Sequence, residues 1–299
     1  MAEQTGLILE LQNMSVNDGD GIRTVVFFAG CPLRCQWCAN PEALQPEKKI
    51  AWQKSSCIAC GQCAMVCPEG IGIDLNGSRA ACSSCGRCLE ICPSGSRRRL
   101  LHSCRADELL KLLGKQEVFF QYSQGGVTFS GGEATGQPDL LRTLTKALYD
   151  RAVHIALETS GYFDFEKIRD ILELLDLIFI DIKHMDPLKH LEYTGVGNER
   201  ILQNLKKLGG MEKEIVVRIP VIEGVNSDDE NIRATARYAG QVLAGAKVEL
   251  LPYHSFGDEK YQALGLPLPS RAFRTPSKER LEELSAIIRS EGAEVVSYR

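Results

Sequence analysis

Cysteine placement constrains this chain more than any other feature. Eleven of its twelve cysteines lie between Cys31 and Cys92, the twelfth is Cys104, and the last 195 residues contain none. Disulfide frameworks of that density belong to small secreted chains. This chain has 299 residues, of which 44% are hydrophobic, enough to bury a core of its own. Its start, Met1 to Leu11, shows no basic stretch followed by a long apolar run. Metal ligation in a cytoplasmic protein is therefore the expectation. No segment approaches the roughly 18–20 apolar residues that a membrane span needs. The net charge of −4 gives no argument for nucleic acid or an anionic membrane surface as a partner.

Ile22-Arg-Thr-Val-Val-Phe-Phe28 is β-branched and aromatic, which predicts a buried strand running into Gly30-Cys31. From residue 47 to 96 the hydrophobic periodicity is weak, and Cys, Gly and Pro recur in two similar blocks. That segment reads as a small inserted domain, leaving 1–46 and 97–299 as the main one. After Leu100, strand candidates at Gly126–Ser130, His154–Glu158, Leu177–Ile182, Ile215–Pro220 and Lys247–Leu251 alternate with helical stretches. The helices are expected at Ala106–Leu113, Asp139–Asp150, Phe165–Leu175, Asn198–Leu208, Asp229–Leu243 and Ser277–Ser290. Such alternation predicts a parallel sheet covered by helices. Six strands, with Val295–Tyr298 as a candidate seventh, are too few for a closed eight-fold barrel. The fold class is α/β, an open or partial barrel with its chemistry at the C-terminal strand ends.

Cys31-Pro-Leu-Arg-Cys35-Gln-Trp37-Cys38 reads C-x3-C-x2-C. Three thiolates in eight residues can ligate three irons of a cubane and leave the fourth iron open. A zinc site would seek a fourth ligand. Cys57, Cys60, Cys63 and Cys67, then Cys82, Cys85, Cys88 and Cys92, each followed by Pro, both read C-x2-C-x2-C-x3-C-P. This is the bacterial two-cluster ferredoxin run, in which the fourth cysteine of each block serves the other cluster. By that analogy Cys57, Cys60, Cys63 and Cys92 hold one cluster, and Cys67, Cys82, Cys85 and Cys88 the second. The pair can carry electrons, or can hold together a segment too poor in apolar pattern to fold alone. Both roles stay open at this point.

Ser130-Gly131-Gly132-Glu133 follows a strand, where two glycines let the backbone approach a ligand closely. Asp181-Ile182-Lys183 places opposite charges two residues apart, on one side of an extended chain. Glu158 ends one strand, Arg218 lies within another, and Leu250-Leu-Pro-Tyr-His254 ends a third on a histidine. Asn17-Asp18-Gly19-Asp20-Gly21 precedes the first strand. Each has an ordinary structural explanation: a turn, an ion pair, a surface histidine. Cys104 reads as a free or buried thiol, Arg97-Arg-Arg99 as a solvated run, and Phe119-Phe-Gln-Tyr122 as core packing.

Together, C-x3-C-x-aromatic-C after a first strand, the Gly-Gly-Glu turn and the whole-chain pattern resemble the radical SAM superfamily. Within it they resemble the glycyl radical enzyme activating enzymes (pyruvate formate-lyase activating enzyme-like), in the branch with a two-cluster ferredoxin-like insert. Trp-Cys-Ala-Asn-Pro-Glu at 37–42 and Ile-Asp-Ile-Lys-His-Met-Asp at 180–186 extend that likeness. The resemblance implies a partial (β/α)6 barrel and three 4Fe–4S clusters. It also implies a radical SAM oxidoreductase that cleaves S-adenosylmethionine (SAM) to a 5′-deoxyadenosyl radical and abstracts hydrogen from a glycine Cα of a partner enzyme. Cys31, Cys35 and Cys38 would hold the catalytic cluster. Trp37, Cys38, Ala39, Gly131, Gly132, Glu133, Asp181, Ile182, Lys183 and His254 would contact SAM. Asp181 and Glu158 would flank a monovalent cation, and flavodoxin or ferredoxin would supply electrons. The Asp18-to-Gly21 loop resembles a D-G-P-G motif that faces the partner's glycine segment, with Asp20 in place of the proline. Rival readings are a radical SAM enzyme acting on a small molecule and a non-catalytic iron–sulfur electron carrier.

Overall fold

A computed structural model describes residues 4–44, 50–73, 81–269 and 273–298. Its strands are β1 (Thr5–Ser15), β2 (Arg23–Phe28), β3 (Ile50–Trp52), β4 (Arg97–Arg99), β5 (His102–Arg105), β6 (Gly126–Gly131), β7 (His154–Thr159), β8 (Leu177–Asp181), β9 (Glu214–Val221), β10 (Lys247–Pro252) and β11 (Glu294–Val295). Nine of them form one sheet in the order β11-β10-β9-β8-β7-β6-β2-β1-β5. From β2 to β11 every pairing is parallel, while β1 pairs antiparallel with both β2 and β5. The sheet is open, with β11 and β5 as its edges. The six expected strands are present as β2 and β6–β10, and the seventh is two residues long.

The helices are α1 (Gln62–Met65), α2 (Arg87–Glu90), α3 (Ala106–Gly114), α4 (Glu117–Ser123), α5 (Pro138–Tyr149), α6 (Phe165–Leu172), α7 (Pro187–Thr194), α8 (Glu199–Leu208), α9 (Asp229–Val242), α10 (Gly257–Ala263) and α11 (Lys278–Ser290). Their sequences explain their limits. α5 starts on Pro138, whose missing N–H costs nothing in a first turn, and buries Leu140, Leu141, Leu144 and Leu148 at helical spacing. In α9 the Asp228 carboxylate accepts from Asn231 N at 2.9 Å, and in α11 the Ser277 hydroxyl accepts from Arg280 N at 3.1 Å.

Strand periodicity assigns the two faces. Val127, Phe129, Ile155, Leu157, Ile178, Ile180, Val217 and Ile219 belong to the main core under the helices. The alternate positions, Thr128, Ser130, Glu158, Asp181 and Arg218, fall on the other face. Each fully buried Leu or Ile on the outer face contributes about 1.5–3 kcal/mol. That burial fixes the register, because a slip of one residue would exchange the faces. The inner face is therefore mixed, polar near the C-terminal strand ends and closed further down by an apolar cluster of Ala156, Leu177, Phe179 and Val216.

β1, β3, β4, β5, α1, α2, α4, α7 and α10 lie outside the elements that the sequence predicts. β1 is half exposed and bulged at Ile8/Glu10 and Gln12/Ser15, so its sequence lacks clean alternation. The aromatic cluster at 119–122 is not simply core: Phe120 is buried, but Phe119 and Tyr122 are 41% and 89% exposed on α4. Arg97 is likewise no solvated residue, being only 5% exposed.

β3 and β4 pair antiparallel, Trp52 opposite Arg97, and so bring the two ends of the cysteine-rich segment together. None of its described residues joins the main core. Its backbone repeats at a spacing of 25 residues: Ala59 and Ser84 both have φ of 56°, Gly61 and Gly86 have 76° and 86°, and Gly70 and Gly95 both have 64°. The left-handed Gly61 and Gly86 open the short helices α1 and α2.

Candidate active site

Six parallel strands deliver their last residues to one end of the sheet, where the expected motifs meet around a cavity of about 260 Å³. Cys31, Cys35, Trp37, Cys38 and Ala39 line one side, after β2. Gly131 ends β6 and Gly132 follows it, Asp181 ends β8 with Lys183 just beyond, and His254 follows β10. A larger cleft of about 910 Å³ between β1, the cysteine-rich segment and α10 contains none of these residues.

The cysteine loop is fixed from two directions. Arg34 N and Gln36 N donate to Thr194 O and Tyr193 O at 2.7 and 3.0 Å, anchoring it to the end of α7. Trp37 packs between the Tyr193 and Phe273 rings, each 5.9 Å away. Burial, aided by the negative charge of Glu133, pushes the Cys31 thiol up to about 12. Burial also raises Cys35 to about 12 and Cys38 to about 11. Three thiols that resist ionisation in the bare protein are a donor set for a strongly cationic centre, which removes that cost. Among the described residues no three His, Cys, Asp or Glu side chains close around a single metal-ion position. A cubane asks for less convergence, because each thiolate takes its own iron. The donor set fits the cluster.

Gly131 has a φ of +109°, and a Cβ there would sit 2.3 Å from Phe28 N and 2.4 Å from Phe28 O. A Cβ on Gly132 would stand 2.2 Å from Gly30 O. Only glycine fits both, so Gly132 N and Glu133 N can donate to Phe28 O and Gly30 O and lock this turn to the cysteine loop. Glu133 itself does not line the cavity. Its buried carboxylate accepts from Thr135 N and Oγ1, Thr159 Oγ1, and Ser160 N and Oγ. Ile182 also lies outside the cavity, in the main core.

Lys183 Nζ donates to Asp181 Oδ2 at 2.7 Å. Burial alone would discharge Lys183, but Asp181 and the Cys35 and Cys31 sulfurs outweigh it and raise its pKa. Below the cavity, Arg218 donates from Nε to Glu249 Oε2 at 2.7 Å and from Nη1 to Glu158 Oε1, and it stacks 3.5 Å over the Phe179 ring. Glu158 Oε2 accepts from Ser130 Oγ at 2.5 Å. Both carboxylates expected at a cation site are thus already paired, Asp181 with Lys183 and Glu158 with Arg218. His254 faces the Phe256 ring at 4.5 Å.

The Asp18-to-Gly21 loop is built on Arg23. Arg23 Nη1 donates to Asp20 O at 3.1 Å and Nε to Thr128 Oγ1 at 2.7 Å, while Thr128 Oγ1 donates to Asp18 O at 2.8 Å. Asn17 O reaches Arg218 Nη2 at 3.5 Å, so the loop touches the cavity floor. Cys104 lies half-buried against the main core. Ser130, Thr159, Ser160, Pro220 and Tyr253 also line the cavity; apart from standing at strand ends, they carry no local sequence signal.

The radical SAM superfamily profile matches residues 25–236, from β2 into α9. The choline trimethylamine-lyase activating enzyme of Oleidesulfovibrio alaskensis is 36% identical, over 97% of this chain and 96% of that one. The trans-4-hydroxy-L-proline dehydratase activating enzyme of Clostridioides difficile is 37% identical, over 94% and 95%. A radical SAM methyltransferase structure from Sphaerobacter thermophilus covers 97% of this chain and 76% of its own, with a TM-score of 0.54 at 14% identity, a likeness of fold. Among the described residues no helix is long and apolar enough to cross a membrane. The chain belongs to the radical SAM superfamily and, within it, to the activating enzymes of glycyl radical enzymes.

Proposed function

We propose that this protein installs a glycyl radical in a partner enzyme, using one SAM-binding cluster and two auxiliary clusters. The observation that carries the reading is the convergence of Cys31, Cys35 and Cys38 with Gly131, Gly132, Asp181, Lys183 and His254 on one cavity. When bound and reduced by one electron, a 4Fe–4S cluster on the three cysteines supplies cleavage of SAM to methionine and a 5′-deoxyadenosyl radical that takes a hydrogen atom from glycine Cα.

The chain's residues position and enclose that chemistry. Gly131 and Gly132 line the cavity where the methionyl end of SAM would lie against them, and the Asp181–Lys183 pair presents both charges beside the thiols. Leu44, Ile222 and Leu251 give apolar wall on which a bare radical finds no water. The Asp18-to-Gly21 loop, held by Arg23 and joined to the floor through Arg218, is the surface for the partner's glycine segment. Gly19 and Gly21, with φ of +119° and +68°, set its turn without help from a proline at position 20.

Residues 47–96 form the auxiliary-cluster domain in this reading. Its support is the backbone repeat and the meeting of Cys57, Cys63 and Cys92 around Ser96 and Arg97, as crossed pairing requires. Flavodoxin or ferredoxin is the proposed electron donor, the cytoplasm the proposed compartment, and neither nucleic acid nor membrane a partner.

The test is anaerobic reduction of the iron-loaded protein with SAM. 5′-Deoxyadenosine should form, and a glycyl radical signal should appear in a partner enzyme that is supplied. Deoxyadenosine formation with a metabolite consumed and no radical in any partner would reject the activating role.

A further inference from the structure

The two cysteine blocks share a backbone, but their surroundings differ, and the difference is charged. Four and five residues after Cys92 come Ser96 and Arg97; at the same distances after Cys67 come Ile71 and Gly72. Five residues before Cys57 stands Trp52; five before Cys82 the sequence has Gly77, which lies outside the described residues.

Arg97 is buried, and its Nη2 lies 3.3 Å from Cys63 Sγ, with Gly72 O at 3.2 Å and Ile73 O as its other acceptors. Its Nε and Nη1 are buried without a hydrogen-bond partner among the described residues. No carboxylate accepts from this guanidinium there, so its charge is left facing sulfur. The buried Ser96 hydroxyl is 3.3 Å from Cys92 Sγ, and Ser94 Oγ is 3.7 Å from the same atom. Trp52 Nε1 is buried without an acceptor of its own and faces the Cys57 sulfur, which also meets Ser96. Among the described residues no side-chain donor hydrogen-bonds to Cys67, Cys82, Cys85 or Cys88; the Arg97 charge also acts on Cys88, but only through space, whereas it touches Cys63 directly.

We propose that Arg97, assisted by Ser96 and Trp52, orders the two auxiliary potentials, so that the cluster on Cys57, Cys60, Cys63 and Cys92 is reduced before the one on Cys67, Cys82, Cys85 and Cys88. This rests on the two-cluster reading above. A cubane with four thiolates carries a charge of −2 oxidised and −3 after accepting one electron from an external one-electron donor, with no proton moving. A buried cation and hydrogen bonds to sulfur stabilise the more negative state and raise the potential. Arg97 touches a ligand and not the reacting atoms, so it is a tuning residue. An electron entering the insert settles on the cluster beside the β3–β4 neck, where the segment joins the main sheet.

The test uses the full chain, reconstituted anaerobically with iron and sulfide and titrated with reductant while each cluster is followed by electron paramagnetic resonance. Arg97→Met should lower the higher auxiliary midpoint by an amount equal to at least a tenfold loss in its reduced-to-oxidised ratio, about 59 mV. The lower midpoint should move by clearly less, since Arg97 acts on Cys88 only through space, and Arg97→Lys should recover part of the shift. Midpoints unmoved by Arg97→Met, or a shift confined to the lower couple, would overturn the ordering while leaving the two clusters in place. If the wild-type chain binds about four irons, not about twelve, the two-cluster reading fails first. Should Arg97→Met lose iron, Ser96→Ala decides: a downward shift of the higher couple supports the proposal and no shift rejects it.

Discussion

Glu133 Oε2 accepts hydrogen bonds from both the amide and the hydroxyl of Ser160, at 2.9 and 2.5 Å, so the turn after β6 is tied to the end of β7. With Thr135 and Thr159 on Oε1, this carboxylate has no lone pair aimed into the cavity. It shapes the site by holding two strand ends at one spacing. Glu133→Ala leaves buried donors unpaired and should cost at least about 2 kcal/mol, seen as a lower urea midpoint; Glu133→Gln should recover part. An unchanged midpoint with lost SAM affinity would instead make the carboxylate a ligand.

Gly131→Ala should be more damaging than its size suggests. The added methyl meets the Phe28 backbone, and the positive φ is strained for any side chain. The destabilisation should exceed about 1 kcal/mol, and SAM affinity in equilibrium dialysis should fall at least tenfold, because the turn cannot stay closed on the cysteine loop.

Loss of any one of Cys31, Cys35 or Cys38 to Ala should abolish 5′-deoxyadenosine formation while auxiliary iron stays bound. On the three-cluster proposal, iron content should drop from about twelve to about eight per chain. Retained deoxyadenosine formation in such a variant would move the chemistry elsewhere.

Arg218→Ala should cost about 3–5 kcal/mol, because it strands the buried Glu249 carboxylate without its cation. Arg218→Lys should do only partly better, since one ammonium does not reproduce the fork that reaches Glu249, Glu158 and Asn17 O together. Adding Glu249→Gln to Arg218→Ala should restore much of the loss, read as a recovered urea midpoint at unchanged slope.

Acid should unfold this protein earlier than its carboxylates alone would dictate. Burial holds His154, His184 and His190 below the usual 6.5. His184 Nδ1 accepts from Asp186 N at 3.0 Å at the start of α7, and protonation removes that acceptor. His190 Nδ1 donates to Val196 O at 2.7 Å, and its Nε2 is buried with no partner among the described residues, so a second proton has nowhere to point. The unfolded chain binds these protons first, so stability falls as pH drops below about 6.5 towards the lower native values. Melting temperatures should be flat from pH 7 to 8 and decline below 6.5. His190→Gln should flatten that decline.

The sequence alone determined the six parallel strands, because runs such as Leu177–Ile182 combine apolar composition with a length only a buried strand accommodates. It also determined the cysteine spacings, since ligand geometry within a short loop is a local property of the chain. That Gly131 and Gly132 border the cavity was legible as well, from their place at the end of a strand. β1 was hidden because an exposed, bulged strand loses its alternation. What only the tertiary structure decided is the partner of each polar group. Glu133 turned inward to Ser160 and Thr159 on another strand, and Glu158 and Glu249 met on Arg218. Arg97, read as one of three solvated arginines, was drawn under the cysteines by the pairing of β4 with β3. Charge and hydrogen bonding act across space, and chain folding sets which atoms share that space, so the shape of the site was written locally and its electrostatics were not.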